Sequence, residues 1–533
     1  MSYLAIGHKP GSGPVVKVMR NDTDDFREVP SSNFGAFLFN SENQNISYMK
    51  EPGVLSVNAD KYPARSGYFD FYIADGSSNT NARKFIIAKG TAGVGYFVPH
   101  FLIDRMFPGD FPPIFEAKVK RPDGRFLGPS FSINNQYQIG MQYRSLIARM
   151  TVQTNGPFDS FQSSPPAAVA RTNIIPSSYG YDGWSGRVTS SLSLRPEYDN
   201  AGWETQAADI YYTFWDLPAD QTPIPKPSAP VVSGQEVVRL DSKGLIIARP
   251  GFTVDGSTGR QRIIDSTRNP PFCIMADEIM NIPAGGSYFV PAPYGVALTE
   301  SMFVDIIAGI AGRDYILPIF DRELHNTNQD VLITYRLERG GVTFFNESAN
   351  VAVNIRYLVY CNDLMPPSSG GNQVMRRVFN DIQIKKPGSS DTTPAFNDIL
   401  LDTRFPAMQI LSEAFISADQ FNESPANAMY GQVAKTINFN GSDMLVFPKV
   451  VGVFPNVLRQ SYAALYKIPN GSGGYGISNQ SVVSVLYENS MKVHLSPSQA
   501  TGVRWTGSNS WNYDHSFDGP IGVRYYILGV AKR

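Results

Sequence analysis

Residues 245–266 read LIIARPGFTVDGSTGRQRIIDS, and residues 382–403 read IQIKKPGSSDTTPAFNDILLDT. In both, a β-like run ends in a basic residue followed by Pro-Gly, at Pro250-Gly251 and at Pro387-Gly388. In both, the Asp of an apolar-apolar-Asp-Ser/Thr phrase, Asp265 or Asp402, falls 15 residues after that proline. A degenerate form stands near the N-terminus, where VVKVMRND (15–22) and AFLFNS (36–41) carry Asn40-Ser41 in place of Asp-Ser/Thr. A recurring phrase constrains architecture more than any single residue does. It predicts three related modules in tandem.

Further landmarks recur around the phrase. Tyr96-Phe97-Val98-Pro99 answers Tyr288-Phe289-Val290-Pro291, and more weakly Leu445-Val446-Phe447-Pro448. Tyr143-Arg144 and Tyr335-Arg336 each lie 44 residues past the proline, with Tyr487-Glu488 as a third counterpart. Every module then closes on an aromatic β-type run: DIYYTFWDL (209–217), NIRYLVYC (354–361) and VRYYILGV (523–530).

Composition agrees with an all-β fold. The chain has 533 residues, 42% hydrophobic, so packed interiors are expected and its length suits several domains. Only 17% of residues are charged, 12% are aromatic, and Gly (46) and Pro (39) are plentiful without a collagen-like period. Many aromatics and turn formers favour short strands joined by elaborate loops. Period-2 runs such as VVKVM, KFIIA, SLIARMTV and VLITYRL read as strands linked by tight DG, NG and GG turns. The expectation is three β-sandwich-like modules with long loops and little helix, limited to a turn or two within 301–311 and 410–421. The boundaries are 1–217, a linker at 218–235, 236–364, a linker at 365–373, and 374–533. The first linker belongs to LPADQTPIPKPSAPVVSGQ (217–235), whose prolines 218, 223, 225, 227 and 230 favour an extended strap across a neighbouring surface. The second, MPPSSGGNQ (365–373), is expected to be more flexible.

Several function classes receive no support. A net charge of −1 supplies no field for nucleic acid or anionic lipid. The N-terminal MSYLAIGHKPGSGP lacks the layout of a secretory signal, and the best apolar run, MFVDIIAGIAG (302–312), is too short for a span and carries Asp305. The chain is therefore read as soluble, made in a cytosol and not inserted in a membrane. Cys273 and Cys361 are expected as buried free thiols. His8, His100, His325, His494 and His515 fall in no metal-binding spacing, and no G-x-S-x-G elbow occurs. The glycines of IIAKGTAGVGYF (86–97) are followed by another β-like run rather than a helix, which predicts a hairpin and not a phosphate cradle. Asp22, Asp24 and Asp25 read as a solvated turn, since they lack the EF-hand glycine and the terminal Glu. No catalytic residue, metal or cofactor is assigned, and no enzyme activity is expected.

Two readings of the remaining residues matter for function. Pro250, Gly251, Asp265, Pro387, Gly388 and Asp402 read as framework: Pro-Gly as a turn, and an Asx followed by Ser/Thr as a clasp on backbone N–H groups. The loops SSYGYDGWSG (177–186) and TGSNSWNYDHSFDG (506–519) mix aromatic with small polar residues. Tyr179, Tyr181, Asp182 and Trp184 in the first, with Trp511, Tyr513 and Asp514 in the second, are candidate contacts for a protein partner or a host surface glycan. The alternative is that these aromatics fold down onto the module core.

The phrase Arg249-Pro250-Gly251-Phe252 with Ile263-Ile264-Asp265-Ser266, echoed by Lys386-Pro387-Gly388 and Leu400-Leu401-Asp402-Thr403, resembles a short repeat in virion proteins of tailed bacteriophages. The third copy departs at Ser389 and the first has Asn21-Asp22 where Pro-Gly would stand. The resemblance implies a structural component of the particle, located in the tail tip, baseplate or fibre attachment. Such a protein would act through contacts with other virion proteins, as a homo-oligomer, and transfers no catalytic residue. The alternatives are a head decoration, collar or neck protein, and a receptor- or glycan-binding protein. A polysaccharide depolymerase would instead require two carboxylates about 5–10 Å apart in a cleft.

Overall fold

The computed structural model describes residues 3–57, 236–310, 333–423, 433–453, 482–495 and 521–532 with short gaps. Between these it describes further strands and a few flanking residues. The protein is all-β: the described residues form antiparallel sheets, with only short 3-10 turns and no α-helix.

Eighteen strands form a frame in which each copy of the repeat contributes six. In the first copy these are β1 (Tyr3–Lys9), β2 (Gly13–Met19), β3 (Phe37–Asn40), β4 (Met49–Val57), β5 (Pro113–Lys120) and β6 (Ala208–Pro218). The second has β7 (Val238–Asp241), β8 (Gly244–Ala248), β9 (Arg262–Asp265), β10 (Phe272–Ile282), β11 (Phe303–Ile310) and β12 (Val353–Cys361). The third has β13 (Met375–Val378), β14 (Asp381–Lys385), β15 (Ile399–Asp402), β16 (Gln409–Ser417), β17 (Met444–Val453) and β18 (Gly522–Ala531).

The repeated phrase builds a three-stranded meander in each copy, β1-β2-β3, β7-β8-β9 and β13-β14-β15. Registers agree position by position. Val18 faces Phe39, Ile247 faces Ile264 and Ile384 faces Leu401, and the pairing slips at the next residue in all three. A short 3-10 turn leads into each third strand, at Phe34–Ala36, Gly259–Gln261 and Phe396–Asp398. A shared bulge and a shared turn at equivalent places mark one structural unit written three times.

The module-closing run forms the middle of the second sheet in each copy, giving β4-β6-β5, β10-β12-β11 and β16-β18-β17. A strand covered on both faces reads as a near-continuous apolar run. In β18 every residue is buried, and alternate side chains serve two cores. Tyr526, Leu528 and Val530 join the core built from all three second sheets, while Val523, Tyr525 and Ile527 join the core beneath the three meanders. Both cores draw on all three copies, and the β4-β6-β5 sheet continues through Phe126–Leu127 into strands Ile333–Glu338, Gly341–Asn346 and Ser287–Pro291 of the second.

Several expectations change at this level. The segments offered as helical are strands: 303–310 is β11 and 409–417 is β16, with one 3-10 turn at Ala418–Gln420. Pairing with the central strand of each sheet overrides a weak helical pattern. Leu445–Pro448 lies in β17, the counterpart of β11, so it is not equivalent to Tyr288–Pro291. The true counterpart is Val433–Asn438, which pairs with Ser490–Leu495 as Ser287–Pro291 pairs with Gly341–Asn346. The glycine-rich 86–97 phrase is a hairpin, with Gly90 facing Gly95 and Thr91 facing Val94. Cys273 and Cys361 are buried free thiols on the paired strands β10 and β12.

Candidate functional site

The clasp of each meander uses the same atoms. The Val16 N–H donates to Ser41 Oγ at 2.8 Å, Leu245 N–H to Ser266 Oγ at 2.9 Å, and Ile382 N–H to Thr403 Oγ1 at 3.0 Å. The preceding Asx accepts from the backbone two residues on: Asn40 from Glu42, Asp265 from Thr267, and Asp402 from Arg404, at 3.0–3.1 Å. Arg262 pairs with Asp265 at 2.8 Å and Arg404 with Asp402 at 2.6 Å. In the first copy the cross-strand neighbour of Asn40 is Lys17, whose ammonium goes instead to Glu42 at 2.8 Å. An amide therefore serves where the other copies use a carboxylate. Gly251 and Gly388 sit at φ of 86° and 78°, with Phe252 N–H donating to Arg249 C=O and Ser389 N–H to Lys386 C=O. This is the geometry that selects glycine after proline in a type II turn.

The three copies close on one another in a ring. Tyr48, Phe272 and Gln409 are equivalent, each standing just before the residue that faces Trp215, Tyr360 or Leu528. Tyr48 of the first copy donates to Ile263 C=O of the second at 3.4 Å. Gln409 of the third donates to Leu38 C=O of the first at 2.7 Å, and Leu38 is the counterpart of Ile263. Phe272 of the second lies against Phe396 and Phe405 of the third, with ring centroids 5.8 and 4.9 Å apart. Contacts thus run first to second, second to third and third to first. That is the pattern of an approximate threefold arrangement within one chain.

Two residues before Trp215, Tyr360 and Leu528 lie Thr213, Leu358 and Tyr526. They face Glu116, Asp305 and Lys449 respectively across the second edge of each sheet. These three ionisable residues occupy one structural position in three copies, and they meet. Lys449 donates to Glu116 Oε1 and, at 2.6 Å, to Asp305 Oδ2, while the Tyr360 hydroxyl donates to Glu116 Oε2. All three are buried, at 0%, 6% and 2% exposure. Burial pushes the Glu116 carboxyl up to about 8, with Lys449 opposing the rise and Asp305 adding to it. Burial works against the Lys449 charge too, but Asp305 and Glu116 together more than offset it and hold the ammonium above its ordinary value.

Lys118, two residues along β5, is also fully buried. Its Nζ lies 4.1 Å from the Phe126 ring centroid, 5.1 Å from Tyr211 and 5.4 Å from Phe303, and it donates to Met302 C=O of the second copy. Burial pulls its pKa well below the usual lysine value. The first linker joins this junction as well. Pro218 C=O accepts from Tyr526 at 2.7 Å, Pro223 C=O accepts from Arg260 at 3.2 Å, and Ile224 enters the shared core. The second linker is held down: Asp398 accepts from the Ser368 N–H and hydroxyl, and Asp391 from Asn372 N–H.

Of the candidate contact residues, Tyr179, Tyr181, Asp182 and Trp184 lie outside the described residues. Trp511, Tyr513 and Asp514 are not in a loop but in a strand, Ser510–Asp514, paired with Gly502–Gly507. The acidic turn near Asp22 is closed locally, with Arg27 N–H donating to Asp25 at 2.9 Å. Among the described residues no group of His, Cys, Asp and Glu could hold a metal ion, and no helix is long and apolar enough to cross a membrane.

Sequence reasoning missed the triad. Its only signal is a charge set among apolar strand residues: Asp305 in FVDIIAGI and Lys449 in MLVFPKVVGV stand alone, while Glu116 in PIFEAKVK is followed by Lys118 and Lys120. No family model, curated protein or solved structure matches the chain.

Proposed function

We propose that the chain is a non-enzymatic structural component of a tailed-bacteriophage particle, associated with the tail as a tip, baseplate or fibre-attachment protein. The observation that carries this reading is the closed ring of three copies. The residues that resemble the phage repeat, including Pro250, Gly251, Asp265, Pro387, Gly388 and Asp402, build the meander within each copy from which that ring is made. In the frame they build, each meander carries one clasp and each seam between copies is occupied. Other proteins reach threefold geometry by assembling subunits; here three related faces are supplied by one chain. Such a frame suits a fixed joint between ring-shaped neighbours, and the unlike insertions between its strands would meet different virion proteins.

The test is to purify assembled particles, quantify the chain by mass spectrometry and locate it by immunogold labelling. A handful of copies at one end of the tail is expected. A high copy number spread over the head would favour a decoration protein, and absence from washed particles would overturn the structural reading.

A further inference from the structure

The triad carries a consequence independent of where the protein acts. We propose that Glu116, Asp305 and Lys449 form a proton-held lock on the junction of the three copies: the junction is tight while the triad keeps its proton and loosens when the proton is given up.

The argument is one of charge at a buried point. Two carboxylates and one ammonium converge from β5, β11 and β17, one from each copy. The groups facing Glu116 are Lys449 on β17, Asp305 on β11, the Tyr360 hydroxyl on β12 and the Trp215 ring on β6, which lies 5.5 Å from Lys449 Nζ. With Glu116 protonated, Lys449 and Asp305 balance and the triad is neutral. With Glu116 ionised, one uncompensated negative charge sits where burial makes it costly. Both Glu116 oxygens already have donors, so ionisation gains no new hydrogen bond. Neutral Glu116 can reverse the Tyr360 bond, its own hydroxyl donating to the phenol oxygen while Lys449 still donates to the other carboxyl oxygen.

The sign follows from the direction of the shift. The Glu116 pKa is raised by folding, from 4.5 to about 8, chiefly by burial. Its contribution to stability is therefore complete below the unfolded value and is lost as pH rises through the folded one. Lys449 is held above its ordinary value, so the proton that leaves first comes from Glu116.

Hydrogen exchange of the full chain, corrected for intrinsic rates and read on peptides covering β5, β11 and β17, tests this. Between about pH 6 and about pH 9, protection of these strands should fall at least tenfold in the native protein. Glu116→Gln keeps a neutral side chain of the same shape and should hold protection level across that range. Asp305→Asn leaves an evenly matched Glu116–Lys449 pair, so it too should remove the alkaline fall, and it serves if the first variant does not fold. A native profile that is flat, or an equal fall in both variants, would overturn the lock.

Discussion

The meanders and the triad are both positions repeated three times, and they differ in how the repetition is used. At the clasp, Ser41, Ser266 and Thr403 do the same work with the same atoms, because each solves a problem internal to its own copy. At the junction, one position holds Glu116, Asp305 and Lys449, because there the copies face each other. Identical charges at a buried meeting point would repel, so the three had to become unlike. Local problems preserve a repeat, and shared ones diversify it.

The largest effect should come from breaking that complementarity. Lys449→Met removes the only cation of the triad and leaves two buried carboxylates facing each other. Removing one partner of a buried ionic cluster costs about 3–5 kcal/mol. Urea denaturation of the native and variant chains would measure it. Replacing all three at once, with Glu116→Leu, Asp305→Leu and Lys449→Met, should instead lie within about 2 kcal/mol of the native protein or exceed it. If the single and triple variants lose equal stability, the triad is not a charge-balanced unit.

Much of this frame was legible in the residues and some was not. The all-β class, the three copies and the turn chemistry follow from Pro250-Gly251, Pro387-Gly388 and the Asx-Ser/Thr phrase, because clasps and turns are local and leave a fixed spacing. Leu445–Pro448 misled for the opposite reason. A short apolar phrase ending in proline recurs by composition alone, and only pairing partners show that Val433–Asn438 is the real counterpart of Ser287–Pro291. The triad was invisible because its members lie 144 to 333 residues apart and none of them has a partner in its own strand that marks it. Asp305 in particular counted only as an interruption of an apolar run. Its meaning depends on Lys449, which nothing in local sequence connects to it.

The clasps provide the second comparison, now among equals. Ser41→Ala, Ser266→Ala and Thr403→Val each leave one backbone N–H without its acceptor, buried in the first two copies and half-buried in the third, and each should cost about 1–3 kcal/mol, least in the third. The three clasps share no partner, so their effects should add within about 0.5 kcal/mol in double variants. Thermal or urea unfolding of the single and paired variants checks both statements. A clasp whose loss costs nothing would show that its copy is held by its neighbours rather than by its own turn.

The smallest effect should appear at the seams. Gln409 reaches the Leu38 carbonyl at 2.7 Å, whereas the equivalent Tyr48 bond to Ile263 is long, at 3.4 Å. At the equivalent position of the remaining seam stands Phe272, which meets Phe396 and Phe405 ring to ring. Contact between aromatic surfaces therefore serves at this position without a hydroxyl or amide, and Tyr48→Phe keeps that contact, including the Arg268 guanidinium 4.4 Å above the ring. Its cost should stay below about 1 kcal/mol, the lower range for a single neutral hydrogen bond. Gln409→Leu should cost more, because it leaves the Leu38 carbonyl without a short bond inside the core. Equal losses in urea titrations of the two variants would mean that the seams are closed by packing alone, and that the polar donors at Tyr48 and Gln409 are incidental to the ring.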